Sequence, residues 1–196
     1  MNANKVKYGL SNAHYAKQTT VGGKVSFGTP KPWPGSVSLA LDPQGDTNKF
    51  PADNIDYYVS VANNGYDGDF ESALVPEDFR TDILGETKDG NGILVERADA
   101  QSEPFALLFE FEGDVKKTRH VLYNCVASRP PVESNTKTSS VEPVTEKLKL
   151  TATAICNDTL DADIVKASTC STTTKEAYDG WYDEVYMPTA ATASEP

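Results

Sequence analysis

The sequence predicts a mainly β protein, a β-sandwich or barrel with one short flanking helix, and three observations predict it. Apolar and polar residues alternate with period two through the middle of the chain, the pattern of a strand that buries every other side chain. Gly, Asn and Asp clusters interrupt those runs at short intervals, as a fold of many short strands requires. The 196 residues include nine Tyr, seven Phe and two Trp, enough aromatic surface for a folded core although the hydrophobic fraction is only 38%.

In chain order, residues 1–34 read as a basic N-terminal arm with the first strands. Residues 36–42 alternate, with Val37, Leu39 and Leu41 on the apolar face. Residues 43–56 are polar and aperiodic, and are expected to form a long loop anchored by Phe50 and Ile55; such loops in small domains usually carry function. Residues 57–62 are β-rich and lead into Asn63-Asn64-Gly65, a hairpin signal because Asn and Gly tolerate positive φ. The strand that follows, 66–74, turns Phe70 and Leu74 one way and Asp69, Glu71 and Ala73 the other.

A helix is expected over 76–84. Pro76 sits where no amide is needed, Glu77 and Asp78 lie at the positive end of the dipole, and Gly85 can take the left-handed stop. Phe79 and Ile83, four apart, mark its buried face. The heaviest core strand is 105–112, joined through Gly113-Asp114 to 118–127 in a second hairpin. Residues 128–144, rich in Ser, Thr and Pro, read as an exposed connection to a last alternating strand, 145–152, with Leu148 and Leu150 inward. The expected division is an arm (1–34), a sandwich core with its helix (35–156) and an acidic C-terminal segment (157–196). Aromatic residues in that segment, Tyr178, Trp181, Tyr182 and Tyr186, call for a docking surface, on this subunit or on a neighbour.

Charge alternates along the chain. Net charge is −11, distributed as +5 over 1–34, −14 over 35–115, +4 over 116–150 and −6 over 151–196. Overall acidity argues against tight nucleic-acid binding, which rests on clustered Lys and Arg. Alternation suits self-association, a basic part of one copy meeting an acidic part of another, and equally suits the solvated faces of a soluble monomer.

No apolar run approaches the ~18 residues of a membrane span, and the N-terminus lacks a signal-peptide pattern, so no membrane partner or secretion is expected. Cys125, Cys156 and Cys170 are too widely spaced for a metal clip or disulfide framework, and His14 and His120 lie far apart; neither metal nor cofactor is expected. Asp89-Gly90-Asn91-Gly92 resembles the start of a calcium loop, but Ile93 takes the third ligand position and a turn is the better reading. Glu110 and Glu112 stand about 7 Å apart on one strand face, a spacing glycosidases use. Catalysis would need one of them in an apolar cleft, and alternation puts both on the wetter face, so they read as solvated or lumen-facing acids. With no GxSxG elbow and no phosphate loop, no enzyme is expected.

Several blocks, by their order and number, carry a resemblance. They are Asn4-Lys5-Val6-Lys7-Tyr8-Gly9-Leu10, Pro34-Gly35-Ser36-Val37-Ser38-Leu39 leading to Gly45-Asp46, Asn63-Asn64-Gly65-Tyr66-Asp67-Gly68-Asp69, Ala106-Leu107-Leu108-Phe109-Glu110-Phe111 and Arg119-His120-Val121-Leu122-Tyr123-Asn124-Cys125. Over about residues 4–155 the chain resembles the major tail protein, or tail tube protein, of long non-contractile-tailed phages of Gram-positive bacteria. The resemblance implies a virion tail component assembled in the host bacterial cytoplasm. Hexameric rings would stack into a tube through which DNA passes, with inner sheets of neighbours joined into one barrel. It also implies a tape measure protein, a tail terminator and distal tail or baseplate proteins as partners. A tube conducting DNA should repel phosphate, which makes the acids Asp42, Asp67, Asp69, Glu71, Glu110 and Glu112 candidates for the lumen; the same face turned to outer solvent is the alternative. Contacts between subunits are expected from Lys5, Lys7, Asp46, Lys49, Phe50, Asp53, Trp181 and Tyr182. A competing reading, a monomeric carbohydrate-binding module, would stack sugars on Trp33 and Trp181.

Overall fold

Fifteen strands and two short α-helices form among residues 3–136 and 143–190, which the computed structural model describes. The strands before the first helix are β1 (Lys7–Val21), β2 (Lys24–Phe27), β3 (Lys31–Pro32), β4 (Ser36–Gln44), β5 (Thr47–Ala52), β6 (Ile55–Val61) and β7 (Gly65–Ser72). Helix α1 (Glu77–Asp82) precedes β8 (Thr87–Lys88), β9 (Leu94–Val95), β10 (Phe105–Gly113), β11 (Thr118–Ala127) and β12 (Glu146–Ala152). The C-terminal part adds β13 (Ile155–Asn157), β14 (Ala162–Ile164), β15 (Lys166–Ser168) and α2 (Lys175–Asp179). The expected fold class holds: 49% of residues are strand and 8% helical, consistent with a β-sandwich. One large antiparallel sheet runs β2-β1-β10-β11-β12-β7-β4, with β3 added on β1 and β15 on β11.

Strand β10 shows how the sheet is buried. Phe105, Leu107 and Phe109 enter one apolar cluster while Ala106 and Leu108 enter a second on the opposite face, so the run reads as continuously apolar. The first cluster is closed by α1, where Phe79 and the capping residue Ile83 are fully buried as expected. Trp33 packs on Phe79 and Phe70 at centroid distances of 4.3 and 4.9 Å, and Tyr15 and Phe105 meet Phe79 edge-on at 5.0 and 5.1 Å. Such contacts add to the burial gain of each ring. Gly85 takes φ +78° behind the helix, the left-handed stop.

His120 faces this interior and stacks on Phe109 at 5.2 Å. Burial, with Lys166 and Lys7 nearby, pushes its pKa down from 6.5 to about 4. Between those values the unfolded chain binds a proton that the folded chain refuses, so stability falls as pH drops from 6.5 toward 4, by on the order of 1–3 kcal/mol. Comparing urea unfolding of His120→Gln and the parent at pH 7 and pH 4.5 checks this: the variant should lose less on acidification. An equal loss in both would remove His120 from the acid response.

The structure corrects several expectations. Residues 43–56 are not a loop: β4 continues to Gln44, and β5 and β6 pair from Thr47↔Val61 to Ala52↔Ile55 in a hairpin that projects from the sheet. Its tight turn is Asp53-Asn54, at φ +50° and +61°, not Asn63-Asn64-Gly65. The latter instead marks the base, where β4 and β7 resume pairing at Gln44↔Gly65, and a Cβ at Gly65 would lie 2.0 Å from the Ala152 carbonyl oxygen. Val37 is exposed because a register irregularity between Ser36 and Ser38 rotates it out, and Leu74 is exposed because β7 ends at Ser72.

At both ends the chain is more deeply integrated than its composition suggests. The basic N-terminal stretch contains β1, the partner of the core strand β10. The C-terminal aromatics dock on their own subunit: Trp181 and Val185 are buried against Ala16, Leu108, Val121 and Tyr123, and the Tyr123 hydroxyl donates to the Tyr186 carbonyl at 2.8 Å. Of the 128–144 connection, residues 128–136 carry neither strand nor helix, and 137–142 lie outside the described residues.

Candidate functional site

Two surfaces stand out, an acidic sheet face and the projecting hairpin. On the face, β7 lies between β12 and β4, and its alternation puts Asp67, Asp69 and Glu71 outward while Phe70 and Ser72 go inward. Across one seam Glu71, Asp69 and Asp67 stand opposite Lys147, Lys149 and Thr151; across the other they stand opposite Ser38, Ala40 and Asp42. Lys147 pairs with Asp69 at 3.1 Å and the Thr151 hydroxyl donates to Asp67 at 2.8 Å. The hydroxyls of Thr145 and Ser38 donate to Glu71 and, helped by Lys147, hold its carboxyl below the usual carboxylate range. Asp42 opposite Asp67 is a like-charge pair that costs stability. Four of the six acids expected to act together, Asp42, Asp67, Asp69 and Glu71, are therefore neighbours on one face.

The other two are not part of that group. Glu112 is half-exposed on β10, 3.8 Å from Lys117. Glu110 is buried, contrary to its reading as a solvated acid: Lys117 reaches it at 2.7 Å, Arg119 at 3.4 Å and the Ser11 hydroxyl at 3.3 Å. Arg119 in turn donates to the Tyr178 carbonyl and lies 4.0 Å from the Tyr178 ring. Glu110 is thus the buried anion of an ion-pair network that ties β10 to β11. The signal for its burial was present in Lys117 and Arg119, seven and nine residues on across the hairpin, and the Lys147 and Lys149 row was legible in the alternation of β12.

The hairpin of β5 and β6 carries exposed Phe50, Ile55, Tyr57, Tyr58, Val59 and Val61, with none of its residues buried. Phe50 stands opposite Tyr58 and Lys49 opposite Val59, so both of its faces are partly apolar. A lone two-stranded hairpin is marginal in water, and this one has no layer beneath it among the described residues. Lys49, Phe50 and Asp53 belong to it, with Lys49 paired to Asp56 at 2.6 Å, and Asp46 sits at its base, where its carbonyl accepts from the Ala62 N–H at 3.0 Å. Of the other expected contact residues, Lys5 and Lys7 lie exposed at the start of β1. Trp181 is buried, its indole N–H donating to the His120 carbonyl at 3.4 Å, and Tyr182 packs on His14 at 4.5 Å. Both side chains pack within the subunit, Trp181 fully and Tyr182 in part. Trp33 is buried as well, so neither tryptophan offers a platform for sugars.

The sheet also has unfinished borders. Strand β4 pairs with β7 on one side and with no strand on the other among the described residues, and β1 before His14 pairs only with β10. A family model described as phage tail tube protein matches residues 1–190. The chain belongs to the phage tail tube protein family. Comparison with curated proteins gives no match. Family membership makes the chain a structural component of the virion tail that assembles with itself and with other tail proteins. A tail tube protein has reason to keep strand borders unpaired, since neighbouring copies can complete them.

Proposed function

We propose that copies of this chain join side by side through their open strand borders into rings, six copies to a ring as the family resemblance implies. The rings stack into a tube that conducts genomic DNA during ejection. The observation that carries this reading is the apolar hairpin with no core beneath it: 15 residues from Thr47 to Val61 that expose six large hydrophobic side chains and gain a packing layer only on assembly. The Asp42, Asp67, Asp69 and Glu71 face lines the bore, where carboxylates repel phosphate and keep the duplex off the wall. Lys147 and Lys149 moderate that field. In the host cytoplasm, a tape measure protein, a terminator and distal tail or baseplate proteins would set the length and ends of the tube.

Electron microscopy of the purified full chain tests the assembly: rings or tubes on the order of 100 Å across, the size of six small domains around a duplex-wide hole, are expected. A strictly monomeric species at every concentration would overturn it. For the bore, Asp67→Lys with Glu71→Lys should leave tubes intact and slow DNA ejection. Unchanged ejection kinetics in phage carrying both substitutions would place this face elsewhere on the tube.

A further inference from the structure

The interior of the sheet is open at one end. There Leu39, Leu41, Tyr66, Phe111 and His120 surround a cavity of about 220 Å³ that lies beyond the packed core. Its rim carries two ammonium groups. Lys7 Nζ lies 5.3 Å from the centre of the Phe111 ring and Lys166 Nζ 4.6 Å from that of Tyr66. No carboxylate among the described residues forms an ion pair with either lysine. Neutral His120 at the floor adds nothing to offset them. A cavity this small takes one or two side chains, since small-molecule sites usually run from about 300 Å³ upward. The rim asks for a carboxylate beside an apolar group.

The tip of the projecting hairpin has that composition. Asp53 occupies the turn with Phe50 and Ile55 exposed on either side of it, and it has no cationic partner among the described residues, whereas Asp56 is held by Lys49. We propose that the hairpin tip of one copy seats in the sheet mouth of another, Asp53 between Lys7 and Lys166 and an apolar side chain from Phe50 or Ile55 in the cavity. The proposal rests on the assembly reading above and names the surface that receives the arm.

Geometry favours a neighbour over the same chain. Leu41 and Tyr66 lie within three residues of the Gln44↔Gly65 base, so mouth and arm share one end of the sheet. With six residues in β5 at about 3.3 Å each, the tip stands on the order of 20 Å beyond its own mouth. The tip is therefore placed to meet the mouth of a second copy and not its own. That contact joins two different surfaces, the kind that closes into a ring when the rotation repeats.

Cross-linking in the full chain tests it. In a background with the exposed thiols removed (Cys156→Ser, Cys170→Ser), one preparation carries Ile55→Cys and another Lys7→Cys; the two are mixed, assembled and mildly oxidised. A disulfide-linked heterodimer is expected, well above the yield of a control pair in which Val132→Cys replaces Lys7→Cys. As a second measurement, Asp53→Asn, which keeps a residue suited to the left-handed turn, should raise the concentration needed for assembly about tenfold. Lys7→Gln with Lys166→Gln should do the same, and all three substitutions together should be no worse than either set alone, as for direct partners. Tubes that form with only control-level cross-linking, or additive losses in the triple variant, would overturn the docking while leaving the tube intact. Absence of any assembly in the background lacking the two exposed thiols would overturn both.

Discussion

Replacing Phe50, Tyr57, Tyr58 and Val59 together by serine is expected to abolish self-assembly and leave the monomer folded. All four side chains are exposed on the hairpin and contribute to neither apolar cluster of the subunit. Exposed substitutions without internal partners usually move stability by no more than about 0.5 kcal/mol, so the melting curve of the monomer should hardly change. At an interface the same side chains count fully. Truncating a buried aromatic anchor costs about 2 kcal/mol or more, and each 1.4 kcal/mol is a factor of ten in dissociation constant, so even two anchors raise the assembly threshold by roughly a thousandfold. Sedimentation against concentration reads the threshold and thermal unfolding by circular dichroism reads the monomer. Assembly at the parental concentration would show that the arm does not join subunits. A collapsed melting curve would show that it belongs to the subunit's own core.

That arm also marks where sequence reading stopped. Alternation identified β7 and β12, which have one face on the core, while β10 and β11 stood out as heavier apolar runs because both of their faces are covered. In Thr47–Ala52 and Ile55–Val61 neither face is buried within the subunit, so no period separates them from loop, and Pro51 and the irregularity beside it break what pattern remains. The terminal segments failed for another reason. Aromatic residues in a polar segment say that Trp181 needs a surface but not whose, and the second apolar face of β10 that receives it shows in sequence only as Ala106 and Leu108 interleaved with larger residues. The acidic face was legible in part. Asp67, Asp69 and Glu71 declare themselves on one strand, whereas the lysines opposite belong to a strand more than 70 residues away, and the register is what joins them.

Pairing across a register also decides the fate of Glu110, where Glu110→Ala is expected to destabilise the subunit by about 3–5 kcal/mol, the cost of leaving a buried partner charge uncompensated. Its side chain is 5% exposed and that of Arg119 18%, so the guanidinium left behind cannot recover full hydration. The damage should spread, because Arg119 also holds the Tyr178 carbonyl and lies against the Tyr178 and Tyr182 rings at 4.0 and 5.1 Å. Limited proteolysis should therefore cut the variant in the segment around α2, which the parent protects. Reversal to lysine would gather three cations around one buried point and prevent folding, so that substitution could report nothing about a bore. Glu112→Ala, on the half-exposed neighbour, should cost less than about 1 kcal/mol. Combining Glu110→Leu with Arg119→Met should recover most of the loss, since an apolar pair of similar volume replaces a buried ion pair at little or no cost. Urea unfolding of the four proteins measures these differences. Equal stability of Glu110→Ala and the parent would mean that the buried carboxylate does not anchor the C-terminal segment, and that the aromatic packing of Trp181 and Tyr186 holds it alone.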